Sequence, residues 1–360
     1  MKNQPPLKWE TIGDINELTR LTKEWNTLNN AVNHSSLFNS PYWLLSWAEQ
    51  YWQSEWQLNL VTVRNNGELI ALAPFYIQPA KTIWGVKKLY LLGQGEPECA
   101  EIATEYSDIL VAPEFKDKVL NKLAKILKSF NVDQILWKAL ISQSTAKEII
   151  TIISAKSSIN RATGYIVNRP LWSPDKLSKN MRSRYRRGLN QLNKLEAKID
   201  WVEKKDFEKY WQVMKEFHQN RWQNKDKTGA FCSDEFNQFH KGFRKASPKS
   251  IAMSAIWVNG VPIALHYYFV DATTLYFYQS GWDESQYSNV SPGLILHLWT
   301  IENNNKPYYD FMMGKTQGSY KAKFGTQQQA MHNITLTFSP IKVMMYRVLK
   351  KIKSILTKTN

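Results

Sequence analysis

An Asn-Gly turn feeding an apolar strand occurs twice in this chain of 360 residues. Asn66-Gly67-Glu68-Leu69-Ile70-Ala71-Leu72 returns as Asn259-Gly260-Val261-Pro262-Ile263-Ala264-Leu265. An Asn-Gly pair supplies the positive backbone torsions of a two-residue hairpin, so each copy fixes two adjacent antiparallel strands. Later in each half, Tyr106-Ser107-Asp108-Ile109-Leu110 is echoed by Tyr309-Asp310-Phe311-Met312. The same two signatures in the same order predict a structural duplication. At roughly 100–200 residues per domain the length suits two domains, and a hydrophobic fraction of 43% can give each a core.

The elements between these signatures mix helix and sheet. Leu18, Leu21, Trp25 and Leu28 recur at helical spacing and predict a helix over 14–30. Ser40-Pro41 reads as an N-cap with proline at the first helical position, followed by Trp43, Trp47 and Tyr51 on one face. Strands are predicted at 58–63, 69–77, 89–92, 106–111 and 135–140, with an amphipathic helix at 115–130. A basic helix runs from Asp175 to about Lys198, striped by Leu177, Met181, Tyr185, Leu189 and Leu192. Helices follow around Phe207–Phe217 and Phe236–Phe243, then strands at 251–258, 263–269 and 274–280. Ser291-Pro292-Gly293 opens a helix to about Asn303, and 308–312 and 334–338 return to strand. The expected organisation is an N-terminal domain over 1–172, a linking helix over 173–204, a C-terminal domain over 205–340 and a tail over 341–360.

The net charge of +16 is concentrated. Residues 176–198 carry eight Lys/Arg against Glu196, and residues 311–360 carry nine Lys/Arg and no acid. The other 287 residues balance to zero. A localised basic surface implies a localised anionic partner, or else a solvated face. In the tail, Val343, Tyr346, Leu349, Ile352 and Leu356 are expected on one face with Lys/Arg opposite. Such a helix can lie on anionic lipid or dock on its own domain.

Several classes are disfavoured. Two cysteines, Cys99 and Cys232, cannot build a disulfide framework and suggest a reducing compartment. No apolar stretch approaches the ~18 residues that span a bilayer, and Met1–Glu10 has no secretory apolar core. A cytoplasmic protein is expected. The six histidines and two distant cysteines show no metal-ligand spacing, and there is no Walker loop or dinucleotide fingerprint. No recognised DNA-binding motif accompanies the charge, so DNA is not an expected partner.

An ordered set of motifs in the second half carries a resemblance. The hairpin Asn-Gly-x-x-Ile-Ala is followed by Tyr278-Gln279-Ser280-Gly281-Trp282-Asp283, then Ser291-Pro292-Gly293-Leu294-Ile295-Leu296. Tyr309-Asp310-Phe311-Met312-Met313-Gly314 and Tyr320-Lys321-x-x-Phe324-Gly325 complete it. Ser40-Pro41-Tyr42-Trp43-Leu44, Ser178-Lys179-Asn180-Met181-Arg182 and Phe217-His218-x-x-Arg221-Trp222 also fit. Over most of 38–328 the chain resembles bacterial GNAT-like acetyltransferases of the CelD type, linked to polysaccharide biosynthesis. The resemblance implies an α/β (α+β) protein of tandem GNAT-like acyl-CoA N-acyltransferase folds, each a mixed central sheet flanked by helices. The second half is the expected catalytic one. Fem-type peptidyl transferases, which use aminoacyl-tRNA, share the double fold and are the alternative. A non-catalytic glycan-binding or partner-binding role is a third reading.

Acyl transfer from a thioester to an amine needs a neutral amine, donors for the oxyanion and a proton for the thiolate. It needs no covalent enzyme intermediate, so the missing Ser–His–Asp signature does not exclude an enzyme. The implied co-substrate is acetyl-CoA or another acyl-CoA. Ser291, Gly293 and Leu294 at a helix start are placed for its pyrophosphate, with Gln279 and Ser280 on the preceding strand. This segment departs from the family's Gln/Arg-x-x-Gly-x-Gly/Ala loop, which leaves the acyl donor open. Tyr320 is expected to protonate the thiolate, and Lys321 matches a lysine that stabilises the transition state in the Fem-type branch. Asp310 at a strand end can be a base or can cap the Gly314 turn. His266 alternates with Leu265 and Tyr267 beside the expected cleft and is either catalytic or structural. His218, Arg221, Trp222 and Arg182 are expected to orient an acceptor, an amino group on an amino sugar or envelope precursor. The tail would then place the protein peripherally at the inner face of the plasma membrane.

Overall fold

The computed structural model describes residues 6–153, 157–223 and 229–356, except the side chains of residues 222, 223, 230, 288, 353 and 356. Its strands and helices in chain order are β1 (Lys8–Ile12), α1 (Thr22–Ala31), α2 (Pro41–Tyr51), β2 (Gln57–Asn65), β3 (Glu68–Gln78), β4 (Lys88–Leu91), β5 (Leu110–Val111), α3 (Lys116–Ser129), β6 (Gln134–Ile141) and α4 (Thr145–Ile153). Then come β7 (Ser157–Asn168), α5 (Lys179–Lys194), β8 (Lys198–Trp201), α6 (Phe207–Gln223), α7 (Asp234–Ala246), β9 (Ile251–Val258), β10 (Val261–Val270) and β11 (Thr274–Trp282). The last are α8 (Pro292–Asn303), β12 (Tyr308–Gly314), β13 (Gln327–Thr337) and α9 (Pro340–Leu356).

The chain divides into two compact units. Unit 1 holds 1–96, 103–161 and 331–360; unit 2 holds 97–102 and 162–330. The division differs from the one expected from sequence. The basic helix is not a separate linker but part of unit 2, and the tail joins unit 1. The reason is packing: a Cβ on Gly188 of α5 would lie 2.5 Å from Ile295 Cδ1 and 2.6 Å from the Val290 carbonyl. Glycine therefore lets α5 lie against the start of α8 within one core.

Unit 1 orders its sheet β1-β2-β3-β4-β6-β13, with β5 on β3. Among the described residues of this unit only β4 and β6 pair in parallel, at Lys88↔Gln134 and Leu89↔Ile135. Trp25, Trp43, Trp47, Phe75 and Trp137 are fully buried in its core. Ser40 caps α2 by accepting the Trp43 amide, as the Ser-Pro pair predicts.

Unit 2 orders its sheet β7-β12-β11-β10-β9-β8. Among its described residues only β11 and β12 pair in parallel, from Thr274↔Tyr308 to Tyr276↔Asp310. α8 is the crossover between those two strands, as a parallel pair requires. Its apolar residues Ile295, Leu296, Leu298 and Ile301 are buried against the sheet. Tyr106–Val111 is not the strand expected from sequence: only Leu110–Val111 pair, on β3, so the counterpart of β12 is β6.

Candidate active site

The parallel pairing of β11 and β12 lasts three residues and then stops at Tyr276↔Asp310. Beyond that point β11 follows β10 as far as Trp282↔Ala264, while β12 bulges. Met312 takes a positive φ of 61°, and the register against β7 shifts between Asp310 and Met313. Two side chains hold the bulge. Asp310, buried, accepts the Met312 amide at 2.7 Å, and Lys321 Nζ donates to the carbonyls of Phe311, Met312 and Met313 at 2.5, 3.3 and 2.7 Å.

A cleft of 640 Å³ opens in this unit, lined by residues of α5, α6, β10, β11, α8 and the short helical turn Tyr320–Phe324. One end is the start of α8. Ser291 is in the left-handed region (φ 58°, ψ 54°) and does not cap the helix with its side chain. Its Oγ instead contacts Arg184 Nη2 at 3.0 Å. The Gly293 amide, second in the helix, is among the donors that a helix start leaves without an intrahelical acceptor. The helix dipole and the Arg184 guanidinium add positive potential at the same point. Lys323 also lines the cleft. This end is built to receive an anion.

The other end is aromatic and histidine-rich. His266 on β10 pairs with Ser280 on β11, so both point to the cleft face. The His266 ring is buried, 4.4 Å from the ring of His297 and 4.8 Å from that of Phe277. Neither ring nitrogen of His266 has a hydrogen-bond partner among the described residues. Burial pushes its pKa down to about 3, so it is a neutral acceptor or donor waiting for a polar group. His297 comes from the second turn of α8, and its Nδ1 lies 2.7 Å from the Tyr309 hydroxyl. Behind Tyr309 the hydroxyls of Tyr268, Thr300 and Ser254 are linked at 2.8 Å, so the histidine is held by a buried polar chain. Burial holds the His297 imidazole well below its ordinary pKa, with the neighbouring His266 and Lys321 acting the same way.

Tyr320 stands at the mouth, 49% exposed, its ring 6.3 Å from that of His297. Burial of its phenol raises the pKa, against the pull of the Arg221 charge, so the proton stays on at neutral pH. Arg221 on α6 lies 3.9 Å over the Trp282 ring and 3.2 Å from the Glu284 carboxylate. These three form a charged and aromatic shelf beside Tyr320, and Glu284 is the one carboxylate among the described residues lining the cleft.

Of the residues singled out from the sequence, Tyr320, His266, Ser280, Ser291, Gly293, Leu294 and Arg221 line this cleft together. Lys321 and Asp310 do not; they shape β12 behind it. Gln279 alternates with Ser280 and so points to the other face of the sheet. His218 is buried against Phe231, at 4.8 Å between rings, with its pKa pushed down to about 4 by burial. Arg182 donates to the carbonyls of Asp175 and Leu177 at 3.2 and 2.7 Å. Two residues on, and some 200° round the helix, Arg184 reaches the cleft in its place. The Trp222 side chain lies outside the described residues. His297, Glu284 and Arg184 escape the sequence reading. His297 sits in an apolar helical run, where a histidine reads as packing, and only its bond to Tyr309 sets it apart. Among the described residues no group of three or more His, Cys, Asp or Glu could hold a metal ion.

Residues 179–322 match the Acetyltransferase (GNAT) domain family. No curated protein matches the chain. Among solved structures, FemX is similar at a TM-score of 0.60 and 9% identity, covering 90% of this chain and 98% of its own. A conserved protein of unknown function from Bacteroides thetaiotaomicron VPI-5482 aligns at 0.55 and 11% identity, over 92% of this chain and 100% of its own. A tandem GNAT protein from the clavulanic acid biosynthesis pathway aligns at 0.51 and 7% identity, over 92% and 98%. At these identities the likeness is one of fold. The chain has the tandem GNAT-like architecture, an α/β fold of mixed sheets flanked by helices.

Proposed function

We propose that this protein transfers an acyl group from an acyl-CoA, acetyl-CoA or a longer homologue, to an amino group in the unit 2 cleft. The observation that carries the reading is the cleft's polarity. An anion-receptive helix start with Arg184 lies at one end, and the Tyr320 phenol with the unpartnered His266 lies at the other. Arg184 and the amides after Ser291 would hold the donor's phosphates. Tyr320, protonated at neutral pH, can donate its proton to a leaving thiolate. Glu284 and Arg221 would receive and orient the acceptor, with Glu284 drawing the proton from its ammonium. His266 is too weak a base for that step and orients the amine by a hydrogen bond. Lys321 and Asp310 are positioning residues, which keep β12 parted from β11.

The acceptor class we propose is an amino sugar or related envelope precursor, in polysaccharide or cell-surface biosynthesis on the cytoplasmic side. This rests on the CelD-type motif order in the sequence. A Fem-like reading, with aminoacyl-tRNA as donor, is supported by the exposed Lys179, Arg186 and Arg187 on α5 beside the same cleft. One experiment separates them. Isothermal titration of acetyl-CoA and a longer acyl-CoA at two salt concentrations is expected to give micromolar binding, weakened at least tenfold by Arg184→Ala. No heat with either thioester overturns the acyl-CoA reading. Steeply salt-dependent tRNA binding would then favour the Fem-like one.

A further inference from the structure

The C-terminal helix α9 faces the wrong way for a helix that only docks on its own domain. Ile341, Met344, Met345, Val348, Ile352 and Ile355 recur at i, i+3, i+4, i+7, i+11 and i+14, a single stripe about 100° wide. Every one of them is exposed, Ile341 at 72%. What α9 turns to unit 1 is largely its polar side. Lys342 Nζ lies 2.6 Å from Asp133 Oδ2, Val343 is buried, and Tyr346 sits beneath Lys88 at 5.8 Å. The Val343–Leu356 apolar face expected from the sequence is therefore split, with Val343 buried and Leu349 and Ile352 in water.

A second exposed apolar feature shares this root. The loop between β3 and β4 carries Ile83 at 87% and Trp84 at 54% exposure. Its last residue, Lys87, donates its amide at 2.8 Å to the same Asp133 carboxylate that holds Lys342. An exposed stripe of large aliphatic residues marks an interaction surface, and charge says which kind. α9 carries Lys342, Arg347, Lys350, Lys351 and Lys353 and no acid. A second copy stacked stripe to stripe would bring two such cationic helices together with nothing to neutralise them. An anionic bilayer supplies apolar depth and negative charge at once. No described helix is long and apolar enough to cross a membrane, so the geometry is one of lying in the surface.

We propose that α9, with Ile83 and Trp84, seats unit 1 on an anionic lipid surface. The stripe enters the acyl boundary, and Arg347 and Lys351, on its flank, meet lipid phosphates. This goes beyond the transfer reading and does not depend on it. The test is co-sedimentation of the full chain with vesicles of phosphatidylcholine, alone or with 30 mol% phosphatidylglycerol. Binding is expected on the mixed vesicles and at least tenfold weaker on pure phosphatidylcholine. Val348→Glu with Ile352→Glu should lower binding at least tenfold with an unchanged melting profile, since both positions are exposed. Arg347→Gln and Lys351→Gln should each lower it about fivefold, the equivalent of about 1 kcal/mol per charge. Equal binding by wild type and the double variant overturns the proposal. So does light scattering that finds, without vesicles, a dimer which the double variant dissociates: the face would then serve self-association.

Discussion

Along their sheets, units 1 and 2 repeat one pattern: three antiparallel pairings, one parallel, one antiparallel. Each half of the chain also lends its last strand to the other unit. β7 from Ala162 onward pairs with β12, and β13 from Met331 onward pairs with β6. Both parallel partners bulge at a positive φ, 55° at Ala139 of β6 and 61° at Met312 of β12. What differs is the space beside the bulge. In unit 1, β4 ends at Leu91 and the chain turns inward at Gln94, which is buried. Gln94 Nε2 donates to the Lys138 carbonyl and Ser107 Oγ at 2.8 Å, while its Oε1 accepts the Lys138 amide at 3.0 Å. Asn333 takes the Ala139 amide at 2.8 Å. In unit 2, β11 runs on through Ser280 and Trp282, and the equivalent space is the cleft. The helix starts diverge too. α3 carries Asp117 in its first turn, which repels an anion, whereas α8 has no acid there. One fold has been used twice, once with its splay filled by amide side chains and once with a cleft in that place.

The largest expected effect separates these two uses. Tyr320→Phe removes the proposed proton donor and should lower turnover by ~10²-fold or more with little change in stability. Gln94→Ala should do the reverse. It strips two part-buried hydrogen bonds from the Lys138 backbone of β6, costing about 2–3 kcal/mol in urea unfolding, and should leave the donor affinity of unit 2 intact. Wild-type turnover in Tyr320→Phe, or loss of donor binding in Gln94→Ala, would break the division of labour.

An intermediate effect lies in pH. Burial holds the Asp108 carboxyl of unit 1 up at about 7, against the amides of Ile109, Thr145 and Ala146 that pull it down. A carboxyl raised on folding is protonated in the folded state while ionised in the unfolded one, so its contribution falls as pH rises from about 4 to 7. His266 of unit 2 is depressed to about 3. There the unfolded state takes up the proton first, and stability falls as pH drops below about 6.5. At about 1.4 kcal/mol per unit, Asp108 should cost roughly 2–3 kcal/mol between pH 5 and 7. His266 should cost roughly 2 kcal/mol between pH 6.5 and 5. Urea unfolding at pH 5, 6.5 and 7.5 is the check. Asp108→Asn should remove the loss on the alkaline side and His266→Phe the loss on the acid side. A variant with the wild-type slope would remove that residue from the account.

These contrasts were unequally visible in the sequence. The hairpins, the helix over 116–129 and the helix that starts after Ser291 follow from short-range rules of turn chemistry, capping and period, and they stand where those rules put them. α4 was not legible because Thr145–Ile153 is rich in β-branched residues and lacks a helix-stop signal. β7 was missed because its first half is exposed and polar, with no alternation to read. The site was half legible for a related reason. Periodicity places Arg182 and Arg184 on one helix, but which of them meets the cleft depends on how α5 packs on α8. Asp310 and Lys321 carry reactive groups, and only the bulge in β12 shows what those groups hold.

The smallest expected effect tests the duplication itself. Asn66 and Asn259 share a φ of 50°, and Gly67 and Gly260 follow at 88° and 77°. A Cβ added at either glycine would meet nothing within 4 Å. Steric crowding is therefore absent from both sites, and the cost of Gly67→Ala or Gly260→Ala is the backbone term alone, about 1–2 kcal/mol. If the hairpins are copies in energy as well as in shape, urea unfolding should give the two substitutions equal costs within about 0.5 kcal/mol, and adding them should give an additive double variant. A cost several times larger at Gly260 would mean that the β9–β10 hairpin bears on the cleft through His266, whereas β2–β3 bears on nothing comparable. The divergence of the two units would then reach back from the site into the turn that first announced their likeness.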